Sequence, residues 1–109
     1  MTVLRGRLLP GSSAPGHGER AEALARPGGV LVAQVVSGQL GAPVDYDQDH
    51  DEWAVVLSGA AVLEVAGERV DLAGGDWVLL PAHVPHRLVE VRPGTSWLTV
   101  HAPAGEGPQ

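Results

Sequence analysis

From Val30 to His101 the chain is interrupted every few residues by turn formers, a rhythm that leaves room for strands but not for helices. Segments 30–36, 53–57, 60–66, 69–72, 77–80, 86–91 and 95–101 are short and apolar, with many β-branched residues, as strands packed on a core require. Between the later ones stand Ser58-Gly59, Ala66-Gly67, Gly74-Gly75 and Pro93-Gly94, which supply the positive or fixed φ of tight reversals. After Gly29 no apolar stripe of helical period lasts three turns. Fifteen Gly and nine Pro among 109 residues point the same way. The pattern predicts an all-β fold, an antiparallel sandwich or jelly-roll barrel that manages its strand edges by closing or doubling the sheet.

The length suits one domain with a real core. Val3, Leu4, Leu8 and Leu9 predict a short strand over 1–9, and the Pro- and Gly-punctuated stretch 10–29 predicts a loop with one helical turn over 19–26. Segment 1–29 is thus expected to pack on a barrel formed by 30–101, with 102–109 as a flexible tail. Trp53, Trp77 and Trp97 are expected to be packing residues. Trp53, Val55 and Leu57 alternate onto the face away from the barrel lumen and need a cover, which predicts a homodimer, with residues 1–29 as the alternative cover.

Several chemistries are excluded by composition. The chain has no Cys, hence no disulfide framework, thiolate metal site or thiol nucleophile. All seven basic residues are Arg, so no lysine is available for a Schiff base. A net charge of −6 disfavours nucleic acid and anionic membrane surfaces as partners. The first residues lack the apolar core of a secretory signal and no run approaches a membrane span, so a cytoplasmic location is expected.

In the stretch 45–52, DYDQDHDE, successive side chains of an extended backbone point to opposite faces. Asp45, Asp47, Asp49 and Asp51 share one face, and four unpaired carboxylates belong in water. Tyr46, Gln48, His50 and Glu52 then face inward, and their imidazole, amide and carboxylate groups form a mixed N/O donor set that suits zinc, iron, manganese or nickel. The alternative is a hydrogen-bonded polar plug in the barrel mouth. A calcium loop does not fit, because His50 stands where the turn glycine belongs and Val56 where the bidentate glutamate belongs.

These residues resemble the cupin superfamily, whose first motif reads G-x5-H-x-H-x3,4-E-x6-G. Glu52 is followed at the right spacing by Gly59, through WAVVLSG, while Tyr46 and Gln48 stand where the family has its two histidines and Gly41 lies near the leading glycine. The second motif, G-x5-P-x-G-x2-H-x3-N, is matched by Gly75, Pro81 and His86 within GGDWVLLPAHVPHRL, with His83 replacing its second Gly and Glu90 its Asn. The resemblance spans about residues 30–101 and implies Glu52 and His86 as metal ligands.

On strand 86–91 the alternation puts His86, Leu88 and Glu90 on one inward face, so His50, Glu52 and His86 are expected to form a two-histidine, one-carboxylate set with open coordination sites. Gln48 is a fourth donor or an orienting partner, and Tyr46 or Glu90 an acid, base or hydrogen-bond donor beside it. His83 is read as an exposed turn residue, His101 as a strand-terminal residue with an inward-pointing role as the alternative, and His17 as part of a Gly-rich loop. The expected function is a metal-dependent small-molecule enzyme, such as a dioxygenase, isomerase or cyclase. The alternative is a barrel that binds or senses a metabolite or metal without turnover.

Overall fold

The computed structural model describes residues 3–104. Nine strands follow in chain order: β1 (Glu19–Ala25), β2 (Leu31–Ser37), β3 (Val44–Tyr46), β4 (His50–Ser58), β5 (Ala60–Val65), β6 (Glu68–Ala73), β7 (Trp77–Leu80), β8 (His86–Val91) and β9 (Thr95–Pro103). Two short 3-10 turns, Gly11–Ser13 and Pro27–Gly29, are the only helical pieces among the described residues. No helix there is long and apolar enough to cross a membrane.

The strands form a five-stranded sheet in the order β1-β2-β9-β4-β7 and a four-stranded sheet in the order β3-β8-β5-β6, with antiparallel pairing throughout. Their facing sides share one core: Ala54, Val56 and Trp97 from the first sheet meet Ala61, Leu63, Leu72 and Leu88 from the second. Period-2 alternation puts these residues there, as the expected all-β fold requires. The sheets are not joined into a closed barrel by backbone hydrogen bonds. A side-chain bond ties the edge strands instead, the Tyr46 hydroxyl on β3 donating to Glu19 Oε1 on β1 at 3.3 Å.

Segment 19–25 departs from the expected helical turn. Its sequence, ERAEALA, has helix formers, yet it pairs with β2 from Glu19↔Ser37 to Ala23↔Ala33. Seven residues are too few to hold a helix alone, and the free edge of β2 offers every second amide a partner. Residues 3–10 are not a strand. The buried Gln34 amide of β2 clamps Leu9: Leu9 N–H donates to Gln34 Oε1 at 2.8 Å and Gln34 Nε2 donates to Leu9 O at 2.9 Å, while Val3, Leu4 and Leu8 stay exposed. This segment does not cover the outer face of β4 and β7, where Leu57, Trp77 and Leu79 stay exposed. Trp77, expected as a packing residue, is 61% exposed and touches Trp53 at 6.1 Å between ring centroids. β9 runs through Pro103 into the expected tail, of which residues 105–109 lie outside the described residues.

Candidate functional site

In the ladder between β4 and β9, Glu52 stands directly opposite His101, and His50 opposite Pro103. Trp97, Thr99 and His101 share the inward face of β9 by parity, so the last of them is delivered to the mouth of the space between the sheets. His50 Nε2 and His101 Nδ1 approach to 2.9 Å, and His101 Nδ1 lies 3.9 Å from Glu52 Oε1. His50, Glu52 and His101 thereby offer three ligand atoms within 4.8 Å of one another.

Hydrogen bonds assign the tautomers. His50 Nδ1 faces the Asp49 carboxylate at 3.3 Å and must donate to it, which leaves a lone pair on Nε2. Thr99 Oγ1 donates to the Ala33 carbonyl at 3.4 Å, so it accepts from His101 Nε2 at 3.1 Å, and His101 Nδ1 is also a lone pair. In these tautomers the two facing nitrogens, 2.9 Å apart, both present lone pairs, an arrangement that a shared proton or a metal ion satisfies. The donors fit a divalent transition metal, since two imidazoles and a carboxylate are the facial set that leaves positions open. Asp49 and Thr99 are the partners that orient such ligands. Burial lowers the His101 pKa, with His50 adding to the effect and Glu52 opposing it, which favours the neutral, ligating ring.

Beside this cluster lies a cavity of about 230 Å³. Its floor is apolar, with Leu63, Leu88 and Trp97, and its polar wall includes Glu19, Tyr46, Gln48, Glu52, His86 and His101. Tyr46 stacks on His86 at 5.2 Å between centroids and 14° between planes. Gln48 Oε1 is buried with no hydrogen-bond partner. Of the six residues expected at the site, Tyr46, Gln48, Glu52 and His86 line the cavity and His50 joins Glu52 in the cluster. His86 is not part of that cluster. Glu90 is brought to neither. A β-bulge shifts the register of β8, with Leu63 paired to Leu88 but Val62 to Glu90, so the inward alternation is lost at Val89 and Glu90 is exposed on another surface with Arg69 and Arg92.

His101 and Glu19 were not predicted as site residues. The parity of His101 with Trp97 was the available signal, but only pairing with β4 shows what it faces. Nothing local marks Glu19, because segment 19–25 carries no strand pattern.

Burial first, then the charge of Glu19, its hydrogen bond and the charge of Glu52 push the Tyr46 pKa up to about 12. A folded value above the unfolded 10.0 means that the stability tied to the neutral phenol is whole below pH 10 and is lost as pH rises toward 12. Two units correspond to about 2.7 kcal/mol, and solvent screening at this half-buried group reduces the expected loss to about 1 kcal/mol. Tyr46 is the only tyrosine and the chain has neither Lys nor Cys, so ultraviolet titration reads it alone. A midpoint near 10 in the native protein would refute this environment.

The chain matches the family model described as a cupin domain over residues 31–101. No curated protein matches it significantly. Among solved structures, a "putative mannose-6-phosphate isomerase" from Ralstonia eutropha JMP134 superposes with a TM-score of 0.74 at 32% identity, over 85% of this chain and 94% of that one. A cupin superfamily protein from Desulfitobacterium hafniense DCB-2 gives 0.71 at 25% identity, over 91% and 93%. An RmlC-like cupin from Shewanella frigidimarina NCIMB 400 gives 0.70 at 20%, over 94% and 95%, a likeness of fold. With two antiparallel sheets around one core and a matching domain that fills most of its length, this chain belongs to the cupin superfamily.

Proposed function

We propose that this cupin binds a divalent transition metal, iron, manganese, zinc or nickel, through His50, Glu52 and His101, and acts on a small molecule in the adjoining cavity. The observation that carries the reading is the convergence of His50, Glu52 and His101, whose ligand atoms all lie within 4.8 Å of one another. A bound ion of this kind, held by His50, Glu52 and His101, would supply Lewis acidity. The chain's own residues do the rest. Tyr46 stays a neutral hydroxyl at physiological pH. His86 Nδ1 donates to the Val84 carbonyl at 3.5 Å, which leaves Nε2 as a proton acceptor on the cavity wall. Apolar Leu63, Leu88 and Trp97 exclude water from the floor. The neighbour described as an isomerase favours non-redox proton transfer over oxygenation within this reading.

A second reading, a barrel that binds a metabolite without turnover, draws support from Tyr46 and Gln48 standing at the family's histidine positions. Metal analysis of protein purified without chelator should find about one ion per chain, as a site of three protein donors allows. Loaded protein that turns over none of a panel of aldoses, ketoses and catechols would favour the second reading. Failure to take up any of the four ions would overturn the first.

A further inference from the structure

Apart from the candidate metal position at His50, Glu52 and His101, the charged side chains on the cavity wall are of one sign. None of the lining residues is an arginine and the chain has no lysine, whereas two carboxylates, Glu19 and Glu52, reach the cavity. Three of the arginines pair with carboxylates outside it: Arg20 with Glu22 at 3.7 Å, Arg69 with Asp71 at 3.0 Å, and Arg87 with Asp45 at 2.6 Å, all at exposed positions.

The hydrogen bonds beside Glu19 run in one direction. Trp97 Nε1–H can only donate, and it donates to Ser37 Oγ at 3.0 Å; Ser37 spends its hydroxyl proton on Glu19 Oε2 at 2.7 Å. Tyr46 gives its proton to Glu19 Oε1 at 3.3 Å. Two donors thus end at one carboxylate, with Trp97 behind one of them; they fix its orientation, and its further lone pairs can only accept. Gln48 Oε1, the buried oxygen without a partner, is a second acceptor waiting for a donor. The negative field is felt at Tyr46, whose phenol both Glu19 and Glu52 help to keep protonated.

We infer that the cavity takes small ligands that donate hydrogen bonds and carry no negative charge, alcohols or protonated amines, and rejects phosphorylated or carboxylated ones, with Glu19 as the residue that sets this preference. The inference rests on the reading of the cavity as a small-molecule site and names its substrate class. Discrimination follows from repulsion by the two carboxylates, Glu19 at the exposed rim and Glu52 half-buried, and from acceptors that an anion leaves unpaired.

The test is a nuclear magnetic resonance titration with benzyl alcohol, benzylamine and benzoate, at about pH 8, above the ordinary imidazole range. It is run on chelator-treated protein, so that no bound cation offers benzoate a coordination position, and read at the Trp97 indole and the Thr99 and Leu88 amides. Alcohol and amine should bind at least about tenfold more tightly than benzoate, about 1.4 kcal/mol. Glu19→Gln, which keeps an acceptor for Ser37, should remove most of the amine preference over benzoate, while Glu22→Gln on the same strand should leave it intact. Benzoate binding as tight as the amine, or an unchanged preference in Glu19→Gln, would overturn the inference alone. If none of the three shifts the cavity resonances, the small-molecule reading falls and takes this one with it.

Discussion

His101→Ala is expected to lower the affinity for zinc or manganese by more than about 100-fold, beyond the roughly 10–100-fold typical of residues that only orient a ligand. It removes one of three donors that lie within 4.8 Å of one another, and the remaining His50 and Glu52 form an incomplete set. Glu52→Ala and His50→Ala should fall equally far. Thr99→Val, which takes away the hydroxyl 3.1 Å from His101 Nε2, should cost less. His86→Ala is the discriminating variant. His86 stacks on Tyr46 outside the cluster, so its loss should change metal affinity by less than about tenfold while weakening whatever the cavity binds. Calorimetric titration of each variant decides the ranking, with the three indole resonances as the check on folding. Parent-like affinity in His101→Ala would end the assignment of this histidine as a ligand, and a collapse in His86→Ala would restore the set that the motif resemblance implies.

Gly59→Ala is expected to cost about 3 kcal/mol of stability, the sum of a strained backbone and a damaged hydrogen-bond hub. Gly59 sits at φ +104°, and a methyl group there would stand 2.8 Å from the Thr95 Cα, closer than real contacts allow. Thr95 is fully buried and cannot retreat freely. Its hydroxyl donates to the Arg92 carbonyl at 2.6 Å and accepts from Ala60 N–H at 3.2 Å, so a shift loosens both turns that flank β5 and β9. At about 4–8 °C per kcal/mol for a domain of this size, the melting temperature should drop by about 15 °C. Gly67→Ala is the matched control, because Gly67 also has a positive φ, +82°, but a methyl group there would meet nothing within 4 Å. It should cost only about 1 kcal/mol. Equal losses at the two positions would show that backbone strain, and not the approach to Thr95, requires glycine at 59.

Turns and alternation were legible because both are local. Gly59, Gly67, Gly75 and Gly94 all take positive φ, the conformation that glycine adopts without a Cβ clash, and the turns fall where those residues stand. Along 45–52 the side chains alternate between exposed Asp45, Asp47 and Asp49 and half-buried Tyr46, Gln48, His50 and Glu52, as a repeat of two residues requires. From these alone the all-β character followed, as did the row of donors that lies on the inner side.

Pairing between distant segments was decided by the tertiary structure. His50 and His101 are 51 residues apart, and no local pattern states that β9 lies beside β4 in a register that sets His101 opposite Glu52. The bulge at Val89 is likewise a property of the β5–β8 pair, and it sends Glu90 outward although strict alternation would have it face inward. Segment 19–25 becomes a strand only because β2 presents an open edge, and that docking is what carries Glu19 into the cavity. A residue's φ preference and its parity on a strand belong to the residue and its neighbours in sequence; register and edge pairing are settled by which whole arrangement buries the most apolar surface and leaves the fewest backbone groups unpaired.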